Sequence, residues 1–228
     1  TALESLPDDV LKEILQLKEA QILLETREVA QDQFMPFVHH VYENFIEGRH
    51  HRIIAEKLER IAHGELKRLI VNMPPRHSKS EFASYLMPAW FLGRNPKLKI
   101  IQATHNTELA VRFGRKVRDL MGSEEYREIF PNTALKSDDK AAGRWGTASG
   151  GEYFAAGVGA AVTGRGADLF IIDDPHSEQD ALSESAFDNA YEWYTSGPRQ
   201  RLQPGGAIIL VMTRWGTKDL TGRLLKAQ

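Results

Sequence analysis

The run Arg68-Leu69-Ile70-Val71-Asn72 empties directly into Met73-Pro74-Pro75-Arg76-His77-Ser78-Lys79-Ser80, and an amphipathic helical pattern resumes at once. A strand, a tight loop and a helix start in immediate succession commit this part of the chain to a βα unit. A triphosphate held at such a junction needs three things: converging backbone N–H groups at a helix N-terminus, a Lys for the β and γ oxygens, and a hydroxyl for Mg²⁺. Lys79 and Ser80 meet the last two needs. Pro74 and Pro75 have no N–H, so Pro75 can only shape the cradle, whose donors must be the amides of about Arg76, His77, Ser78, Lys79 and Ser80. The spacing G-x-x-x-x-G-K-[ST] is matched only at its end, because Met73 and Ser78 stand at the glycine positions. A Pro-stiffened turn capped by Ser78 or Ser80 would use the same residues, so the segment alone leaves both readings open.

Upstream, residues 3–32 place apolar side chains at helical spacing after Pro7-Asp8-Asp9, which predicts a long helix or a helix pair serving as a packing arm or oligomer contact. Two further helical patterns cover 36–47 and 52–62. Downstream, the patterns predict a helix over 80–92, a strand over 99–103 and a helix over 107–121 with Asn106 or Thr107 as N-cap and Gly122 as stop. Residues 131–151 are polar and read as irregular. Residues 152–156 and 160–163, separated by Gly157 and Gly159, suggest a small hairpin. Leu169-Phe170-Ile171-Ile172 is a buried strand ending in Asp173-Asp174-Pro175, 183–195 is helical, 207–212 is the last strand and 218–227 begins a helix. Alternating strands and helices predict an α/β fold with a mostly parallel sheet covered on both faces. The division expected is a helical region over 1–65 packed on a core over 66–228.

The chain of 228 residues is long enough for a sizeable core. No apolar run reaches the length of a membrane span, and no basic-plus-apolar leader follows Thr1, so no membrane partner is expected. With no cysteine, disulfides, thiolate metal sites and Cys nucleophiles are excluded. A net charge of −2 means that any nucleic-acid contact must come from a local basic patch.

Four apolar strands end in Pro-Pro-Arg-His-Ser-Lys-Ser, Ala-Thr-His, Asp-Asp-Pro and Thr-Arg-Trp, which gathers polar groups along one rim of a parallel sheet, where such folds place their chemistry. This favours the phosphate-loop reading. Asp173 suits Mg²⁺ binding together with Ser80, and Asp174 suits orientation of the attacking water, with Glu178 as its rival.

Met73 to Ser80, Ile171-Ile172-Asp173-Asp174-Pro175, and Thr213-Arg214-Trp215 followed by Asp219-Leu220 and Gly222-Arg223-Leu224 together resemble the large terminase subunit of tailed bacteriophages. The resemblance implies a three-layer P-loop NTPase of the additional-strand type, using ATP and Mg²⁺ to drive double-stranded DNA into a procapsid. It implies that Lys79 and Ser80 bind phosphate and Mg²⁺, and that Asp173 and Asp174 form the second acidic motif. Thr213 would couple the γ-phosphate state to domain movement, and Phe34 and Phe37 would lie in the adenine-binding region. The partners implied are the portal protein, the small terminase subunit and further copies in a pentameric ring, at the procapsid portal in the host cytoplasm. Members of the family usually continue into a nuclease domain, which is expected to be absent from this chain.

Charge developing on the transferred phosphoryl group calls for an arginine. Arg76 could act in cis. Arg165, in Thr163-Gly164-Arg165-Gly166, lies where related motors carry an arginine that reaches a neighbouring subunit, although a surface Arg in a Gly-rich turn fits equally. Arg112, Arg115, Lys116 and Arg118 form a basic helix face that could touch DNA phosphates but fits a solvated face as well. His39-His40 and His50-His51 lack partners at zinc spacing. A helicase-like DNA translocase and a nucleotide-binding scaffold without turnover are the alternatives.

Overall fold

A computed structural model describes residues 7–162 and 164–227. Its centre is a seven-stranded sheet of order β1-β7-β6-β2-β5-β4-β3. The strands are β1 (Arg68–Asn72), β2 (Lys99–Thr104), β3 (Leu135–Ala141), β4 (Arg144–Thr147), β5 (Glu152–Gly157), β6 (Ala167–Asp173) and β7 (Leu202–Met212). The pairs β1/β7, β7/β6, β6/β2 and β2/β5 are parallel, whereas β5/β4 and β4/β3 are antiparallel. The chain is therefore a mixed α/β fold with a mostly parallel sheet, as the sequence predicts.

Both faces of the central strands are buried, which is why their sequences are nearly continuous apolar runs. On one face Ile100, Leu169, Ile171, Ile209 and Val211 join Phe34, Phe37, Leu58, Phe82 and Trp90 in a single core. This face is covered by α1 (Asp8–Asp32), α2 (Phe34–Val41), α3 (Arg49–Ala62), α4 (Met87–Arg94), α5 (Thr107–Met121) and α6 (Glu124–Ile129). On the other, Ile101, Phe170, Ile172, Ile208 and Leu210 pack with Trp193, Tyr194 and Leu220. Those last three belong to α7 (Glu184–Ser196) and α8 (Leu220–Lys226). Among the described residues no helix is long and apolar enough to cross a membrane.

Among the described residues, helix α1 is anchored by its C-terminal end. There Arg27 Nε donates to Glu128 O at 2.7 Å, Gln31 Nε2 to Ile129 O at 2.6 Å, and Trp90 Nε1 to Ala30 O at 2.9 Å. Further up, Leu17 and Ile22 are 65% and 62% exposed. Residues 3–6 of the predicted arm lie outside the described residues.

Three local expectations are corrected. Segment 131–151 is not irregular, because β3 and β4 form an antiparallel hairpin that extends the sheet. Its polar sequence follows from position: β3 is an edge strand with Lys136, Ser137 and Asp138 exposed, and charge on an edge discourages further pairing. The hairpin predicted over 152–163 does not form, since β5 pairs in parallel with β2 and the described residues after it turn without a second strand. Thr163 lies outside the described residues. The single helix predicted over 80–92 starts instead as a π-helical turn, Glu81–Leu86, that runs into α4. Pro88 explains it: with no N–H at 88, the α-helical bond to the carbonyl of Ser84 cannot form, and the preceding Met87 N–H reaches back five residues to Phe82 O.

Candidate functional site

The loop 73–80 leaves β1 beside the end of β7, where Met73 N–H donates to Met212 O at 3.2 Å. Arg76 and Ser78 have φ of 63° and 62°, in the left-handed region that glycine occupies without strain. Ser78 thus takes at the second glycine position of the motif the backbone conformation that glycine favours. The loop closes when Phe82 N–H donates to Ser78 O at 2.9 Å, an α-helical bond just ahead of the π-helical turn.

That geometry delivers two side chains to the tip of β6. Lys79, 6% exposed, places Nζ 2.9 Å from Asp174 Oδ2. Ser80 Oγ donates to Asp173 Oδ1 at 2.9 Å, and Ser84 Oγ, one turn on, donates to Asp173 Oδ2 at 2.7 Å. Asp173 is 2% exposed. Burial pushes its pKa up to about 7; the Ser84 and Ser80 hydroxyls and Lys79 act against that rise, while the neighbouring Asp174 carboxylate adds to it.

Asp174 is held at every polar atom. Its N–H donates to Val211 O at 2.9 Å, its carbonyl accepts from His105 N–H at 3.2 Å, and its Oδ1 accepts from Thr213 N–H at 2.8 Å. Its φ is 41°, a conformation rare for an L-residue that these bonds enforce. Thr213 Oγ1 also donates to Met73 O at 3.3 Å, so the turn after β7 bridges the loop and the acidic tip. The same turn is locked by Asp219, whose buried carboxylate accepts from Arg214 Nε at 2.9 Å and from the N–H groups of Trp215, Gly216 and Gly222. Burial alone would raise the Asp219 pKa, and those donors reverse the effect and hold it below the usual range.

The structure brings Lys79, Ser80, Asp173, Asp174 and Thr213 together, with Pro75, Arg76 and His77 exposed on the loop beside them. His77 Nδ1 lies 2.9 Å from Pro75 O. Glu178 is exposed in the turn after the tip and is not part of this cluster. Phe34 and Phe37 are placed elsewhere. Both are fully buried, Phe34 edge-on to Phe82 and Trp90 and Phe37 edge-on to Tyr126, so the rings fill the core and offer no face to a base. Arg165 is also remote. It pairs with Glu152 at the start of β5 and lies 4.1 Å over the Phe154 ring. Because β6 runs seven residues from that edge to Asp173, Arg165 lies roughly 20 Å from the site at about 3.3 Å per residue. Of the basic α5 face, Lys116 pairs with Glu81 at 3.0 Å.

Sequence reasoning missed Ser84 and His105. The signal for Ser84 was its position four residues after Ser80, one helical turn; His105 closes the Ala-Thr-His strand end and was left without a role. A cavity of about 660 Å³ is lined by Glu28, Arg94 and Asn132 among others and touches none of these groups.

A preformed metal cage is absent among the described residues: no three His, Asp or Glu side chains converge. Mg²⁺ needs no such cage when phosphates and waters complete its shell. A hydroxyl and a carboxylate oxygen 2.9 Å apart, beside a buried ammonium and a helix start, fit the donor set of a Mg²⁺-nucleotide.

No family model matches this sequence. No curated protein matches it either. Among solved structures, the crystal structure of the HK97 bacteriophage large terminase is similar in fold, with a TM-score of 0.51 at 12% sequence identity over 80% of this chain. The match spans 36% of that terminase chain, so this chain has a terminase-like fold over about a third of the terminase's length.

Proposed function

We propose that the 73–80 loop is a P-loop that binds Mg²⁺-ATP and that the chain is an ATPase, the motor part of a DNA-packaging terminase. The observation that carries this reading is the meeting of Lys79 and Ser80, from the loop, with Asp174 and Asp173, from the tip of β6, each pair at 2.9 Å. The strand β7 between β1 and β6 supports it, because an additional strand separating the loop strand from the acidic strand is the arrangement the sequence resemblance implies. The fold likeness to a large terminase supports the packaging role.

Each residue then has a task. The amides of 76–80 and Lys79 hold the β and γ phosphates, and Ser80 and Asp173 hold Mg²⁺. When bound, the ion would neutralise charge on the phosphates. Lys79 cannot serve both Asp174 and a phosphate fully, so nucleotide binding draws it from Asp174 Oδ2. That oxygen is then free to take the proton of the attacking water, whose oxygen bonds to the γ phosphorus as the bond from phosphorus to the ADP oxygen breaks. Thr213, bonded to both Asp174 and the loop, links this event to the turn before α8. Arg76, exposed and with no ion-pair partner among the described residues, is the cation available in cis. Double-stranded DNA, the portal, the small terminase subunit and a ring of copies at the procapsid portal in the host cytoplasm belong to this reading as proposals.

The test is phosphate release from ATP by the purified chain, with and without double-stranded DNA. Hydrolysis that depends on Mg²⁺ and disappears in Lys79→Ala supports the reading. A Lys79→Ala protein hydrolysing like the parent overturns it.

A further inference from the structure

We propose that Ser84 is a positioning residue for the divalent cation of the nucleotide site, fixing the Asp173 carboxylate so that Oδ1 is the oxygen presented beside Ser80. The inference rests on the nucleotide reading above and concerns a residue outside its motifs.

An aspartate carboxylate rotates easily about its last torsion, since that barrier is broad and the two oxygens are equivalent. A single hydroxyl on one oxygen would leave the other free to swap in. Here each oxygen has its own donor, Ser80 Oγ at 2.9 Å on Oδ1 and Ser84 Oγ at 2.7 Å on Oδ2. The two serines are four residues apart, so one helical turn presents both hydroxyls to one carboxylate. They differ in access. The Ser80 bond is only partly buried, on the loop side, whereas Ser84 is fully buried. Ser84 is thus positioned to hold the plane of the carboxylate, while Oδ1 keeps a lone pair on the side where Ser80 and Lys79 converge.

The choice of partner also sets Ser84 apart. A serine inside a helix commonly returns its hydroxyl to a carbonyl of the preceding turn. Ser84 donates instead to a charged acceptor on the neighbouring sheet, and such charge-assisted bonds are about twice as strong as neutral ones. It sits within the π-helical turn that interrupts the helix start, a departure frequent at functional sites.

A purely structural role and a positioning role predict different binding equilibria. ATP binding would be measured calorimetrically across a Mg²⁺ series and in EDTA, for the parent, Ser84→Ala and Ser84→Cys. Cysteine keeps the volume with a weaker donor and stays informative if alanine destabilises the fold. For Ser84→Ala we expect affinity in EDTA within about twofold of the parent and a Mg²⁺ requirement raised about 10–100-fold, the range for loss of a group behind a metal ligand. Ser84→Cys should fall between the two. An unchanged Mg²⁺ midpoint, or equal weakening with Mg²⁺ and with EDTA, overturns the positioning role and leaves the ATP site standing. A parent that binds no ATP at any Mg²⁺ concentration overturns the nucleotide reading, and this inference with it.

Discussion

At the C-terminal ends of β1, β6 and β7, Lys79 and Asp173 are 6% and 2% exposed, and Arg76, Ser78 and Asp174 all have positive φ. At the N-terminal ends of β5 and β6, Arg165 and Glu152 pair with side chains 24% and 27% exposed, and Asp168 accepts from Lys99 N–H at 2.7 Å. Both rims are polar and both are hydrogen-bonded. Only the first combines buried charge with backbone strain, two costs that a merely structural rim has no reason to carry. An ion pair at the second rim is the ordinary way to finish a sheet edge. The difference separates Arg76, on the first rim, from Arg165, on the second, two arginines that sequence alone offers side by side.

The largest expected effect breaks the comparison if it fails. Lys79→Ala should lower ATP turnover by about 10²–10³-fold or more, the scale for deleting a charge-stabilising donor. Arg165→Ala should leave the turnover of the isolated chain within about twofold of the parent. Phosphate release at saturating ATP measures both, and comparable losses would erase the distinction between the rims.

Next in size, Asp174→Asn should lower turnover by about 10²-fold, as for loss of a general base. It should also tighten nucleotide binding, because the carboxylate that competes for Lys79 is gone. Calorimetric titration checks the second half, and weaker binding would show that the Lys79–Asp174 pair organises the empty site rather than occupying it.

Acid should separate the regions as well. Burial lowers the pKa of His176, against the carboxylates of Asp219, Asp180 and Asp174, which raise it. Burial, with His50 beside it, also lowers that of His51. Both rings are acceptors, His176 Nε2 from Leu220 N–H at 3.0 Å and His51 Nδ1 from Gly48 N–H at 2.8 Å. Below the unfolded value of about 6.5 the unfolded chain takes up protons before the folded one does. Stability from both groups is therefore present above that pH and lost as pH falls through the depressed folded values. Between about pH 7.5 and 5.5 this loss opposes the gain from protonating Asp173, whose folded pKa of about 7 lies above its unfolded one, so the check is a difference: the denaturant midpoint of His176→Gln should fall less, or rise more, than that of the parent over this range.

Strands β1, β2, β6 and β7 were legible because burial on both faces leaves continuous apolar runs, and the meeting of Lys79, Ser80 and Asp173 because the ends of parallel strands gather on one rim. The β3–β4 hairpin was hidden since an exposed edge strand selects for Lys136 and Asp138, which read as loop. The burial of Phe34 and Phe37 was not legible for another reason: aromatic residues in a helix before β1 look the same in sequence whether they fill a core or stack on a ligand. For Arg165, a Gly-rich turn does not reveal which rim it decorates until strand order is known. Ser84 had no motif, and the π-helical turn that contains it depends on where the chain's hydrogen bonds slip.

Two smaller effects would sharpen the contrast. Arg165→Ala should cost about 1 kcal/mol or less, as for a partly exposed ion pair, in denaturant unfolding. Ser78→Gly should stabilise by no more than about 1 kcal/mol, relief of positive φ being offset by the added freedom of the unfolded chain. Its turnover should match the parent. Marked destabilisation would mean that the Ser78 side chain, not its backbone conformation, shapes the loop.

Pro88 has no N–H to offer the carbonyl of Ser84, and the turn ahead of α4 widens there. Each residue of an α-helix turns the chain by about 100°, so a slipped hydrogen bond acts as a phase shift between the helix body and everything before it. Ser80 and Ser84 point at Asp173 in the phase that this slip creates. The aim of the site is thus set from a residue eight positions down the chain from Ser80, by subtraction of a single proton donor.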